Sequence, residues 1–168
     1  MKKFILALVF IGTISCQQEK IAFVDNVKLM DTYQEKIDIE AKFKTRTETF
    51  GKKRDSISQA FQMEAQAFQA KAQKMAQAKA QEEYGQLQQR SQFIGQQLQQ
   101  EEQQLQLQGQ TEMDSLVTRV KKEIKAYGES NGYSFILTGG DGGSVLYGKE
   151  AHNITDAIVK ILNDNYKQ

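Results

Sequence analysis

The longest regular pattern in this sequence is a seven-residue repeat of apolar side chains between residues 26 and 127. A repeat near 3.5 residues keeps one face of a helix against a partner helix, so the pattern is typical of a coiled coil. No proline interrupts it. We assign these side chains to the contact face, called the seam: Phe43, Phe50, Ile57, Phe61, Phe68, Met75, Leu87, Ile94, Leu98, Leu105 and Leu116.

Residues 76–83 break the repeat, since they include no large apolar side chain. We therefore expect the tip of an antiparallel helical hairpin there. A reversal in the middle of this segment would place Phe43 opposite Leu116 and Phe68 opposite Ser91. Two limbs of roughly fifty residues would make a rod on the order of 75 Å long.

Short strands flank the helical region. Residues 20–25 (KIAFVD) are rich in β-favouring side chains and predict a strand, with Asp25 or Asn26 capping the helix that follows. Residues 133–138 and 144–147 predict two more strands, which the glycine-rich turn between them would join into a hairpin.

A final short helix is predicted with Thr155 as its N-cap and with Ile158, Ile161 and Leu162 on its buried face. Together the elements predict an α+β fold. A long helical hairpin, residues 26–127, is inserted in a small β-body made of residues 16–25 and 128–168.

The N-terminus predicts a signal peptide of residues 1–15, because two lysines precede an apolar run that is too short to span a bilayer. Residues 13–16 (TISC) resemble the bacterial lipoprotein box, in which the cysteine becomes the lipidated first residue. Cys16 is the only cysteine, so an intramolecular disulfide is excluded. The resemblance implies a lipoprotein, and Gln17 favours the outer membrane. An ordinary secretory signal is the alternative.

The net charge of +1 is unevenly distributed. Residues 41–90 hold ten Lys or Arg against five Asp or Glu, net +5, whereas residues 91–168 hold seven against ten, net −3. The outgoing limb has at best a mild preference for acidic partners, and we expect no nucleic-acid binding. The alternative is that these charges only solvate the exterior of a coiled coil.

No set of residues predicts catalysis. Residues 143–149 (GSVLYGK) fit the opening of a phosphate-binding loop, but Glu150 follows where a hydroxyl should hold magnesium. His152 is the only histidine, and no zinc spacing or nucleophile motif is present. We therefore expect no enzyme, no cofactor and no metal.

Both ends of the predicted body are similar to the OmpH/Skp family of periplasmic chaperones. The similarity rests on residues 20–33 (KIAFVDNVKLMDTY), 132–140 (GYSFILTGG), 144–148 (SVLYG) and 153–163 (NITDAIVKILN). The middle of the chain matches the family only as a long hairpin.

This resemblance implies a jellyfish-like trimer, with a shared β-body and helical hairpins around a cavity. It further implies that unfolded outer-membrane or envelope proteins are held in the cavity without ATP, in the periplasm and tethered to the outer membrane. The side chains expected in the trimer body are Ile21, Phe23, Phe135, Leu137, Val145 and Leu146. The alternative is a lipid-anchored coiled-coil structural or adaptor protein of the envelope.

Overall fold

The computed structural model describes residues 19–167, so the predicted signal peptide and Cys16 lie outside the described residues. The elements follow in this order: β1 (Ile21–Asp25), α1 (Asn26–Thr32), α2 (Gln34–Ala72), α3 (Gln77–Ser130), β2 (Phe135–Gly139), a 3-10 turn (Glu150–His152) and α4 (Thr155–Tyr166).

The predicted helical hairpin is confirmed. Helices α2 and α3 contain 39 and 54 residues, which correspond to lengths of about 58 Å and about 81 Å. We call residues 34–115 the arm and the remaining described residues the body. Helix α3 continues from the arm into the body without a break, whereas α2 begins at the arm's root.

The arm reverses at residues 73–76, ahead of most of the expected 76–83 segment. The amides of Lys74 and Met75 bond the carbonyls of Lys71 and Ala72 at 2.9 and 3.2 Å, which tightens the end of α2. Residues 77–83 are all helical, because Gln, Ala, Lys and Glu are good helix formers. The expected tip was therefore placed too late in the chain.

The pairing of the two limbs also differs from the expectation. The Phe43 ring packs against Gly109 and not against Leu116. Phe68 stacks on Tyr84, with ring centroids 6.1 Å apart, and not on Ser91. Each observed partner lies seven residues nearer the turn than expected, which is one heptad. A shift of one heptad leaves the same side chains in the seam, so the repeat could not fix the register.

The expectation of one continuous helix from residue 26 was wrong at Tyr33. This residue has extended backbone angles, with φ −77° and ψ 114°, and it separates α1 from α2. Leu29 of α1 is fully buried in the body. Helix α1 therefore belongs to the body by packing, and the arm begins at Gln34.

The sheet consists of β1 and β2, which pair in parallel with Ile21 opposite Phe135 and Asp25 opposite Gly139. The expected hairpin with residues 144–147 was wrong, because that segment is not a strand. Its Val145 amide makes a single bond to the Thr138 carbonyl, at 3.1 Å. Parallel strands need a long crossover connection, which α1 and the arm supply here.

The core lies between the inner face of the sheet and the helices. Ala22 and Val24 of β1 point inward, since successive strand residues face opposite sides. The other buried apolar members of this core are Leu29, Tyr33, Leu116, Val120, Ile154, Ile158 and Leu162. The arm joins the body where Leu116 and Val120 of α3 enter this core.

Two hydrogen-bonding side chains order the ends of the body helices. Of the two predicted caps, Asp25 and not Asn26 caps α1, because its carboxylate accepts from the Lys28 amide at 3.0 Å. The expected N-cap role of Thr155 was wrong: the Asn153 side chain accepts from the Thr155 amide at 3.1 Å. The buried Thr155 hydroxyl instead accepts from the Asp25 amide at 2.8 Å, which ties α4 to the end of β1.

Candidate functional site

The outer face of the sheet is apolar and uncovered. Ile21, Phe135 and Leu137 point away from the core and remain 41%, 56% and 42% exposed. Phe23 lies on the same face but is half-buried, because Gly148 rests on its ring so closely that a Cβ there would stand 2.5 Å from a ring carbon. A single chain therefore leaves most of this face in contact with water.

The segment beside this face is also uncovered. Residues 144–148 follow the positive-φ residues Gly140 and Gly142 of the turn after β2. Leu146 is fully exposed and Tyr147 is 86% exposed, whereas Val145 is half-buried. We call the exposed side chains Ile21, Phe135, Leu137, Leu146 and Tyr147 the uncovered patch.

An apolar groove of about 550 Å³ runs along β2, between that strand and helices α1 and α3. Its lining includes Leu29, Met30, Val117, Val120, Ile124 and Ile136. Strand β2 pairs with β1 on one side only, since the sheet has two strands. The groove thus lies along a strand with one free edge.

One side of the arm is crossed by ion pairs. Arg46 bonds Glu112 at 2.8 Å and Lys53 bonds Glu101 at 2.5 Å; two further pairs join Glu35 to Arg119 and Glu64 to Arg90. Along α2 their members are 11, 7 and 11 residues apart, close to whole helical turns, so all four lie on one side. We call this side the ion-pair flank. The eight side chains of these four pairs neutralise each other across the arm.

The other side of the arm carries a shallow groove of about 310 Å³. It is lined by the seam side chains Ile57, Phe61, Ile94 and Leu98 and by Arg54, Ser58, Gln62, Ser91 and Gly95. Arg54 is the only charged residue in this lining. Serine and glycine are too small to cover the seam, so its apolar side chains reach the surface there. We call this side the neutral flank.

Apart from Met75 and Leu116, the seam residues lie on α2 and α3 within the arm. Phe50 and Leu116 are buried, and Phe43, Ile57, Phe61, Phe68, Met75, Leu87, Ile94, Leu98 and Leu105 are half-buried. Met75 lies in the turn and not on a helix. Sequence reasoning missed Tyr147, because residues 144–147 were predicted as a hairpin strand in which only Val145 and Leu146 were assigned to the trimer body.

The root of the arm contains a buried tyrosine. Tyr33 is 2% exposed, and its hydroxyl donates to the Glu35 carboxylate, which also accepts from Arg119. Burial first, and then the bond to Glu35, raise the pKa of Tyr33 to about 12. This cluster fastens the start of α2 to α3. Its spacing in the sequence gave no signal, since Glu35 and Arg119 are far apart in the chain.

The described residues show structural roles for the other residues of chemical interest. A ring nitrogen of His152 lies 3.0 Å from the Ile21 carbonyl, where it joins the 3-10 turn to β1. Among residues 19–167, no three His, Cys, Asp or Glu side chains cluster as a metal site. In the same part of the chain, every buried side-chain nitrogen or oxygen has a hydrogen-bond partner.

None of the helices within residues 19–167 combines the length and the apolar character that a membrane crossing needs.

Fold and surface together define a class of protein: a small body that carries a long helical arm and exposes apolar side chains on the outer face of its sheet. Residues 20–162 match the OmpH family, described as outer membrane protein (OmpH-like). The chain belongs to this family, as its two ends predicted. Membership gives it a chaperone role in general terms and no enzymatic activity.

A solved structure has the same fold. It is an OmpH-like protein from Caulobacter crescentus CB15, named as a candidate outer membrane chaperone. The two chains are 19% identical, the TM-score is 0.77, and the match covers 94% of this chain and 92% of that one. At this identity the likeness concerns the fold alone. No curated protein matches the sequence.

Proposed function

We propose that this chain is an ATP-independent holdase of the periplasm. Three copies join through their bodies, and their arms surround a cavity that holds unfolded outer-membrane or other envelope proteins. Family membership supports a chaperone role. One observation supports the trimeric assembly: the body of a single chain leaves the uncovered patch exposed. Contiguous exposed apolar surface of this kind marks an interaction site.

The sheet itself favours assembly. A sheet of two strands is too small to be stable by itself. The unpaired edge of β2 can also pair with a strand from another chain. Residues 145–147 are apolar, and Leu146 and Tyr147 among them are exposed, as an added strand should be. We place this segment of one copy along β2 of the next, with Leu146 and Tyr147 in the 550 Å³ groove. Such a head-to-tail contact closes into a ring when the rotation between copies allows it.

The neutral flank is the surface of the arm that contacts the client protein. A client without native structure exposes apolar side chains and unpaired backbone, and its charges vary from segment to segment. Apolar seam atoms framed by Ser58, Gln62 and Ser91 offer weak contacts to both kinds of group. Without Lys2 and Lys3, the chain has 20 basic residues against 21 acidic ones. Long-range attraction of acidic clients is therefore small.

The assembly is tested by light scattering on residues 17–168, which contain every element of the described fold. We expect a trimer. Leu146→Asp should yield monomers, because a buried carboxylate would be unpaired at the contact. Leu107→Asp is the matched control, since Leu107 is an exposed leucine on the arm, and it should stay trimeric. A monomeric parent protein would rule out the cavity.

The holding activity is tested by diluting an unfolded outer-membrane barrel protein into the chaperone. We expect a stoichiometric amount of trimer to suppress aggregation without ATP. Ser58→Lys places a charge in the neutral groove and should weaken suppression. Thr49→Lys places the same charge on the ion-pair flank and should not.

The alternative adaptor function predicts a different result. An adaptor would fail to suppress aggregation, and affinity purification from the envelope would yield one stoichiometric folded partner. A holdase should yield many barrel proteins. A result of one partner without suppression would overturn the proposed function.

A further inference from the structure

The joint between α1 and α2 is bridged by one side chain of the C-terminal helix. At the break around Tyr33, the Asn163 side-chain oxygen accepts from the Gln34 amide at 2.8 Å. The side-chain nitrogen of the same residue donates to the Thr32 carbonyl at 3.2 Å. Helix ends leave backbone groups without intrahelical partners, and here one amide side chain serves both ends of a break.

A second contact lies one turn further along α4. The Tyr166 hydroxyl donates to one Asp38 oxygen at 2.9 Å, and the Gln34 side chain donates to the other at 2.8 Å. Asn163 and Tyr166 are three residues apart, so they share a face of α4. That face therefore contacts the first two turns of α2 at two points, Gln34 and Asp38.

Helix α4 is itself fixed to the body. Ile158 is fully buried and Leu162 is 2% exposed, both within the core. The other limb, α3, enters the body as an unbroken helix. If the arm tilts, α3 must bend while the root of α2 moves at Tyr33 across α4, so the bonds to α4 resist that movement.

We propose that Asn163 and Tyr166 are positioning residues that form a latch: they hold the joint at Tyr33 in one geometry and so fix the direction of the arm relative to the body. Release of the latch lets the arm tilt, which changes the width of any space between arms. The latch lies within one chain, so it depends neither on the proposed trimer nor on a client.

The direction of the arm is measured between two spin labels. Residues 17–168 contain no cysteine, so Lys52→Cys on α2 and Lys160→Cys on α4 give unique attachment sites, both exposed. The labelled chain is diluted with unlabelled chain so that only distances within one chain are detected. We expect a narrow distance distribution in the parent protein and a broader, shifted one in Asn163→Ala. Adding Tyr166→Phe should broaden it further.

Asn165→Ala is the matched control, because Asn165 is an exposed asparagine on the same helix. It should leave the distribution unchanged. The measurement is made far below the unfolding temperature, so a general loss of stability does not produce the expected change. An unchanged distribution in folded Asn163→Ala would overturn the latch.

Amide hydrogen exchange gives a second readout. In Asn163→Ala, exchange at Gln34 should rise about tenfold, as expected when one hydrogen bond is lost. Asn163→Asp keeps the acceptor for the Gln34 amide but cannot donate to Thr32, so exchange at Gln34 should stay slow. If Asn163→Ala does not fold, Tyr166→Phe alone decides, since it removes one hydroxyl. A parent-like distance distribution in Tyr166→Phe would then reject the latch.

Discussion

Phe43 and Gly109 meet across the two limbs of the arm. The ring fills the space where a side chain would be, since a Cβ built on Gly109 would stand 2.6 Å from a ring carbon. Three other helical glycines, Gly51, Gly85 and Gly95, have nothing within 4 Å of such a Cβ. This contact is therefore specific to the observed register of the arm, and the other glycines provide its controls.

Replacing Gly109 by alanine should destabilise the arm. The added methyl group displaces the Phe43 ring, and overpacking of this kind costs about 1–3 kcal/mol. That cost exceeds the gain of about 1 kcal/mol that alanine brings to a helix. Urea unfolding measures the difference. Gly85→Ala is the control and should be stabilising. Equal stabilisation by both substitutions would contradict the observed register.

Reversing the charge of one partner in a cross-arm ion pair should lower the stability of the protein, and reversing the other partner as well should restore it. Lys53→Glu places two carboxylates close together across the arm and should lower the free energy of unfolding. Adding Glu101→Lys restores an ion pair and should recover that free energy. The coupling between exposed partners should be about 0.2–1 kcal/mol and should fall with added salt. Combining Lys53→Glu with Glu102→Lys, one residue away, should recover less. Absence of any difference between the two combinations would contradict the pairing.

Leu116→Ala should be strongly destabilising. Leu116 is fully buried where α3 enters the core, and leucine-to-alanine changes at such sites cost about 2–5 kcal/mol. Leu107→Ala removes the same atoms from a side chain that is 63% exposed, so its effect should stay within about 0.5 kcal/mol. Thermal and urea unfolding of the two variants measure the contrast. Similar losses at both positions would mean that Leu116 is not a core residue.

The stability of the protein should fall between pH 10 and pH 12 in a manner that depends on Tyr33. Its pKa is raised from 10.0 to about 12 in the fold, so the folded state favours the neutral phenol. The resulting stabilisation is complete below pH 10 and is lost as the pH rises through the folded pKa. Tyr33→Phe cannot ionise and should show a shallower decline over this range. If the stability of parent and variant fell equally above pH 10, ionisation of Tyr33 would not be the cause of the decline.

Cys16→Ser should release the protein from the membrane. We propose that this residue carries the lipid, although it lies outside the residues that the structure describes. The full chain should fractionate with membranes and incorporate labelled fatty acid, whereas the serine variant should be recovered in the soluble periplasmic fraction without label. Fractionation of both proteins with the soluble material would contradict the anchor and favour an ordinary secretory signal.

The sequence determined the existence of the arm and the faces of its helices. A seven-residue apolar repeat requires two helices in contact, and short terminal strands require a separate small body. The family resemblance came from those strands and from the last helix. These features are local, so the pattern of residues along the chain carries them.

The position of each limb against the other was decided by the tertiary structure. A repeat of seven residues is satisfied equally by registers one heptad apart, and the choice between them depends on contacts such as Phe43 with Gly109. The turn at residues 73–76 follows from that choice. No local pattern distinguishes the alternatives, because residues 77–83 suit a helix as well as a tip.

The joint at the root of the arm was likewise decided only by tertiary contacts. Residues 26–37 read as one helix, and nothing local marks Tyr33 as a break. Asn163, which lies 130 positions after Tyr33 in the sequence, forms hydrogen bonds to the backbone of Thr32 and Gln34 on the two sides of the break. The parallel pairing of β1 and β2 is similar, since it joins strands separated by the whole arm. The sequence thus determined which faces are apolar, and long-range packing decided what those faces contact and which of them a single chain leaves uncovered.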